Sequence, residues 1–264
     1  MPDSRVQPLA RSIAVVNQKG GTAKTTTVAN LAVAMSGLGQ GVLAVDADPQ
    51  ASLTFYLGQD ERALEKERRT LYWALLGERQ VEEIIVGDAP ALVPSSITLA
   101  KADIELASEP GASWVLKETL APARDVYDLV LIDCPPTLTL LTVNALAAAD
   151  ELLIPVKTDL LSTLGIPQLL ETVAKIRRRA NPALRVLGIL PTLFNPQYAH
   201  DVEVIAELER SFGRELRVFE PIRRSTGFDR AAGTGRPTVA ASPSSVGAIA
   251  YRKLAMTLLE TDGG

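Results

Sequence analysis

Residues 13–39, IAVVNQKGGTAKTTTVANLAVAMSGLG, constrain the fold more than any other part of this 264-residue chain. An apolar run ends at Asn17, a loop holding Gly20 and Gly21 turns, and a helical pattern starts at Lys24 with three threonines behind it. Strand, glycine loop and helix in that order open a βαβ unit, whose return strand must run parallel to the first. The loop also has a chemistry. Gly20 and Gly21 permit backbone conformations closed to other residues and let amides approach an anion without a side chain in the way. The helix from Lys24 contributes its N-terminal amides and the positive end of its dipole. Lys24 itself supplies a point charge, and the Thr25 hydroxyl suits magnesium. The strict pattern G-x-x-x-x-G-K-[ST] is not met, because Gln18 and Ala23 stand where its glycines belong. Lys19 adds a second cation near the start of the loop.

The rest of the chain keeps the same rhythm of short apolar runs and longer helical patterns. Strands are expected at Ser12–Asn17, Gly41–Asp46, Ala91–Pro94, Asp128–Asp133, Glu151–Val156, Arg185–Leu190 and Leu216–Glu220. Runs such as VLAVD, LVLID and LLIPV are apolar almost throughout, which suits strands covered on both faces. Helices are expected at Lys24–Leu38, Leu138–Ala148, Ile166–Ala180, Asp201–Phe212 and Ser245–Leu259. The expected fold is α/β, a doubly wound and mostly parallel sheet flanked by helices, forming one domain over residues 1–264 with 1–11 as a flexible extension. Ligands of such sheets bind beyond the carboxyl ends of the strands. The charged run ERALEKERR, 61–69, reads as a solvated helix face.

Composition narrows the function classes. With 47% hydrophobic residues the chain can bury a large core unaided. The sole cysteine, Cys134, makes neither a disulfide framework nor a four-thiolate metal site, which suits a reducing cytoplasm. It also excludes a reductase of the nitrogenase-iron-protein type, whose shared cluster takes two cysteines per chain. A net charge of −4 argues against a generally basic nucleic-acid surface, so any such contact must be a local patch. No run approaches the ~18 apolar residues of a membrane span. Cys134, the sole histidine His200, Trp73 and Trp114 read as structural or surface residues. The last helix, with Tyr251, Leu254, Met256 and Leu258, reads as core packing.

Beyond the loop, GVLAVDADPQASLTFYLG brings Asp46 and Asp48 to the end of a strand, and YDLVLIDCPPTLTLLTVNAL brings Asp133 to the tip of another. Together with K-G-G-x-x-K-T-T, these segments resemble the ParA/MinD family of ATPases with a deviant phosphate-binding loop. GILPTLFNPQ, VFEPIRRSTGFDRAAGTGRPTVAASP and SSVGAIAYRKLAMTLLE extend the likeness over nearly the whole chain. The resemblance implies ATP or ADP and Mg2+ as cofactors. Lys19, Gly20, Gly21, Thr22, Ala23, Lys24, Thr25 and Thr26 would hold the phosphates, with Thr192, Asn195, Pro221 and Arg223 near the adenine. Thr25, Asp48 and Asp133 would serve the metal. Asp48 would also position the attacking water, with Asp46 supporting metal hydration or the loop. The prolines after Cys134 would form a switch, and Asn144 lies in the helix behind it.

The resemblance further implies an ATPase that is weak alone and stimulated by a partner. ATP would join two subunits face to face, with Lys19 reaching the partner's nucleotide. Such a homodimer would bind DNA without sequence preference through Arg223 and Arg224, extended by Arg177, Arg178, Arg179, Arg214 and Arg217. It would carry chromosome or plasmid cargo through a ParB-like adaptor, in the cytoplasm on the nucleoid. Two alternatives stand beside it: positioning of a protein cargo, and a nucleotide-sensing scaffold without turnover. A MinD-like membrane role is not expected, because the last helix lacks a cationic apolar tip. An N-terminal operator-reading module is not expected either.

Overall fold

A computed structural model describes residues 10–260, except the side chains of Asp229 and Ala232. The sheet has six strands: β1 Arg11–Val15, β2 Val42–Asp46, β3 Ala91–Val93, β4 Leu129–Asp133, β5 Glu151–Lys157 and β6 Arg185–Thr192. Their order is β3-β2-β4-β1-β5-β6, and every neighbouring pair is parallel. Most of the expected extension, residues 1–9, lies outside the described residues. Ala10 and Arg11 do not belong to an extension: the Ala10 N–H donates to the Arg124 carbonyl at 2.9 Å, and Arg11 opens β1.

The apolar strands are buried because helices cover both faces. Ile13, Val15, Ala44, Leu129 and Leu131 face the loop helix Lys24–Ser36 and the last helix Val246–Glu260. Ala14, Val45, Val130 and Ile132 face the helices Leu140–Ala148, Ile166–Arg179 and Ala199–Phe212. Alternate residues of one strand thus feed two cores, which is why the runs carry no polar face. The chain passes from β4 across β1 to β5, so the carboxyl ends of β1, β4 and β2 frame a crevice.

Leu216–Glu220 does not join the sheet as a seventh strand. Ile189 N–H donates to Arg217 O and Phe219 N–H to Ile189 O, each at 2.8 Å, leaving one bridge between Ile189 and Val218. The ladder stops there because Pro191 and Pro221, at the next rungs, have no N–H to give. Apart from β3, residues 52–125 hold only short helical turns, none longer than six residues. The charged run forms one of them, Glu61–Lys66, yet it is more than a solvated face. Glu65 accepts hydrogen bonds from Thr70, Trp73 and Ser96, which pins the turn to the core. Tyr251, Leu254 and Leu258 pack inside as expected, but Met256 lies half exposed on the opposite side of its helix.

Candidate functional site

The loop is tied down from both sides. Asn17 at its root donates to the Pro155 carbonyl of β5 at 2.7 Å and accepts from the Lys19 N–H at 2.9 Å. Thr192, at the end of β6, donates to the Thr22 carbonyl at 3.1 Å. Between these ties Gly21 has φ +70°, and a Cβ on Gly20 or Gly21 would meet nothing within 4 Å. Their backbone therefore faces open space, the arrangement an anion needs. Ala23 also sits at positive φ, +64°, and its carbonyl accepts from the Thr27 N–H to start the helix. Residues Gly20–Thr26 line a cleft of about 260 Å³ together with Asp48, Ser52, Tyr56 and Pro136.

Below the cleft, β2 and β4 end in register, placing Asp46 opposite Asp133. Both are fully buried. Thr25 donates from Oγ1 to Asp133 Oδ2 at 2.6 Å, while Asp133 Oδ1 has no hydrogen-bond partner. A buried carboxylate oxygen left unpaired beside a helix N-terminus and a hydroxyl is the donor set of a hydrated Mg2+, so these residues fit that ion. Burial and the charge of Asp46 push the Asp133 carboxyl well above the usual range. Burial likewise pushes Asp46 up to about 7, against hydrogen bonds from Thr54 and the Asp48 N–H. Asp46 accepts from both the Thr54 N–H and its hydroxyl, at 2.8 and 2.7 Å, so it braces the segment after β2. Asp48 opens onto the cleft, and its Oδ1 accepts from the Gln50 N–H at 2.9 Å.

The two lysines of the loop diverge. Lys24 is nearly buried and turns back to donate to the Lys19 carbonyl at 3.3 Å. Burial draws its ammonium below the usual value, and Asp133, Cys134 and Asp48 oppose that shift. Lys19 points away from the cleft to Asp159 Oδ1, 2.9 Å distant, and Lys157 holds the other oxygen at 3.1 Å. Cys134 is buried, with its thiol pushed up by burial and by Asp133, so it is no nucleophile.

The residues expected at the base divide between two hollows. Asn195 lines one beside the loop, with Gly21, Thr158, Asp159, Tyr198 and Phe228 among its walls. Pro221 and Arg223 line another against the last helix, with Val246 and Ile249. A bridge to Phe194 holds Arg223, and the Arg224 N–H donates to the Phe194 carbonyl at 2.9 Å, so both arginines stand exposed near the end of β6. Asn144 is not at the site. It is buried and bonds the Leu116 N–H and the Ala112 and Leu140 carbonyls. Arg177 donates to the Leu184 carbonyl, where β6 begins, at the end of the sheet away from the loop. Sequence reasoning missed Asn17, Ser52, Tyr56 and Asp159. Asn17 and Asp159 each directly follow or lie close to an apolar strand run, the one signal that singles them out.

A family model described as an AAA domain matches residues 10–186. The chain is 40% identical to the chromosome-partitioning ATPase Soj of Thermus thermophilus over 93% of its length and 94% of that protein's. It is 35% identical to the sporulation initiation inhibitor protein Soj of Bacillus subtilis, covering 94% and 97%. Among solved structures, one described as cobyrinic acid a,c-diamide synthase from Mycobacterium smegmatis with ADP and magnesium matches at 37% identity and TM-score 0.84, covering 95% and 94%. The MinD cell division ATPase of Pyrococcus furiosus matches at 28% identity and TM-score 0.79, covering 96% and 100%. With the family model spanning more than half the chain and Soj proteins aligned nearly end to end, the chain belongs to the ParA-type family of partition ATPases.

Proposed function

We propose that this protein binds and hydrolyses Mg·ATP at the Lys19–Thr26 loop and uses the nucleotide to join two copies that move cargo over DNA. One observation carries the reading. The unpaired, buried Asp133 oxygen lies in the same carboxylate that Thr25 bonds at 2.6 Å, directly under a loop whose glycine backbone faces an open cleft. Phosphoryl transfer to water needs positioning and neutralised charge more than covalent help. Thr25 and Asp133 would hold magnesium, which would supply charge neutralisation at the phosphates. Lys24 leaves the Lys19 carbonyl for the phosphates. Asp48, at the cleft wall, orients the water that forms the new P–O bond as the bond to the bridging oxygen breaks. Lys19 completes the charge from the other subunit. Asn195 and the hollow that it lines take the base, while Pro221 and Arg223 line the separate hollow against the last helix.

Arg223 and Arg224, exposed side by side, supply the non-specific DNA contact, and pairing two subunits doubles it. A ParB-like adaptor accelerates turnover, in the cytoplasm at the nucleoid. Identity to Soj proteins of two organisms favours DNA cargo over protein cargo. The synthase named among the structural relatives suggests a second reading, in which the γ-phosphate activates an acid for amide formation. The test is steady-state phosphate release with Mg·ATP: wild type turns over slowly, and Asp48→Ala binds ATP with turnover lowered at least about tenfold. Unchanged turnover in that variant removes the proposed role of Asp48. Phosphate release that appears only with an added carboxylic acid and ammonia favours the ligase.

A further inference from the structure

The helix Leu140–Ala148, which starts four residues after Pro136 at the cleft, does not cap itself. Its N-cap residue, Thr139, has φ −86° and ψ −179°, the extended backbone from which a threonine hydroxyl normally accepts a first-turn N–H. Thr139 makes no such bond, and its Oγ1 is buried without a hydrogen-bond partner among the described residues. The Leu141 N–H of the first turn donates instead to Asp103 Oδ1 at 2.9 Å. Asp103 belongs to a separate short turn, Ala102–Glu105. One first-turn donor thus has two acceptors within its reach in the chain, one engaged and one idle.

The same first turn is linked to the cleft. Thr142 donates from Oγ1 to the Thr137 carbonyl at 2.5 Å, and Thr137 follows Pro136, which lines the cleft together with Asp48. Further along the helix, Asn144 bonds the Ala112 carbonyl and the Leu116 N–H, so the body of the helix is anchored on another segment. A displacement that starts at Pro136 therefore falls on the first turn and on its bond to Asp103. A buried hydroxyl left idle costs stability in the arrangement seen, and it is satisfied in one where the turn has left Asp103 and Thr139 takes the N–H.

We infer that Asp103 is a positioning residue that holds segment 134–139 in its nucleotide-free place, and that Thr139 takes over the cap when an outer phosphate in the cleft draws the turn away. This rests on the nucleotide site proposed above and adds its restraint. Each cap then stabilises one state only, so removing either shifts the balance between the states in opposite directions.

Calorimetric titration of the full chain with a non-hydrolysable Mg·ATP analogue and, separately, with Mg·ADP reads that balance as the ratio of the two affinities, because ADP lacks the outer phosphate. A lost cap corresponds to about fivefold in an equilibrium constant. Asp103→Ala is expected to raise the ratio about fivefold, and Asp103→Asn, which keeps an acceptor for the N–H, to restore it to near the wild-type value. Thr139→Val is expected to lower the ratio about fivefold while leaving the melting temperature of the nucleotide-free chain unchanged or higher. A purely structural cap moves the melting temperature and leaves the ratio alone. Asp103→Ala with an unchanged or lower ratio overturns the restraint, and Thr139→Val with an unchanged ratio, or with a lower nucleotide-free melting temperature, overturns the exchange. Thr139→Val keeps the test open even if Asp103→Ala does not fold. A folded wild-type chain that binds neither nucleotide refutes the nucleotide site itself, which keeps the two failures apart.

Discussion

Ala23 shows how one residue sets the state of the loop. At φ +64° it occupies a region that costs an alanine about 1–2 kcal/mol relative to ordinary helical backbone, and glycine avoids that cost at the expense of a looser unfolded chain. Ala23→Gly is therefore expected to leave stability unchanged or raise it by up to about 1 kcal/mol in denaturant melts. A loss larger than that shows the strained geometry is wrong. The buried carboxylates make a second residue-scale case. Folding raises Asp46 from 3.8 to about 7, so the folded chain holds this proton more tightly than the unfolded one. The resulting stabilisation is present below about pH 4 and lost as pH climbs through 7. The nucleotide-free protein should lose on the order of a few kcal/mol between about pH 5 and pH 8. Asp46→Asn should flatten that slope, and an unchanged slope would remove the assignment.

Among the elements, β6 records how a neighbouring segment can approach a strand without joining it. The register of β5 with β6 skips a residue between Leu152 and Leu153, and Gly188 at that irregularity has φ +148°. A Cβ on Gly188 would lie 2.2 Å from the Arg217 carbonyl oxygen. Gly188→Ala must push the 217–219 segment away, and a loss of about 2–3 kcal/mol is expected in thermal unfolding. A neutral substitution would mean that the segment is not held there. The six strands and five long helices were legible because each carries an unbroken period and, at the loop, explicit glycine and lysine signals. The helical turns of 52–125 were not, because turns of six residues or fewer are too short for a period to register. The edge run 216–220 looked like a strand because its apolar pattern is right. Only the two prolines at adjoining rungs, one of them in β6, stop the ladder.

At the scale of the whole molecule, the loop, β2 and β4 converge on one crevice, which brings together Lys24 and Thr25, singled out by the loop and helix start, with Asp48 and Asp133, singled out near strand ends. The pairing of Lys19 with Asp159 was beyond the sequence, because 140 residues separate the partners. With an overall charge of −4, the proposed DNA contact rests on the local pair Arg223 and Arg224. In gel shifts with Mg·ATP, Arg223→Glu with Arg224→Glu is expected to weaken binding at least about tenfold, since each phosphate contact contributes to the salt-dependent affinity. Retained binding would move the DNA surface elsewhere. The account as a whole depends on a nucleotide held by the loop. Calorimetric titration of Mg·ATP into the wild-type chain and into Lys24→Ala measures that grip directly. Saturable heat at one nucleotide per subunit, lost in the variant, is the predicted result; a folded wild-type chain that gives no heat contradicts it.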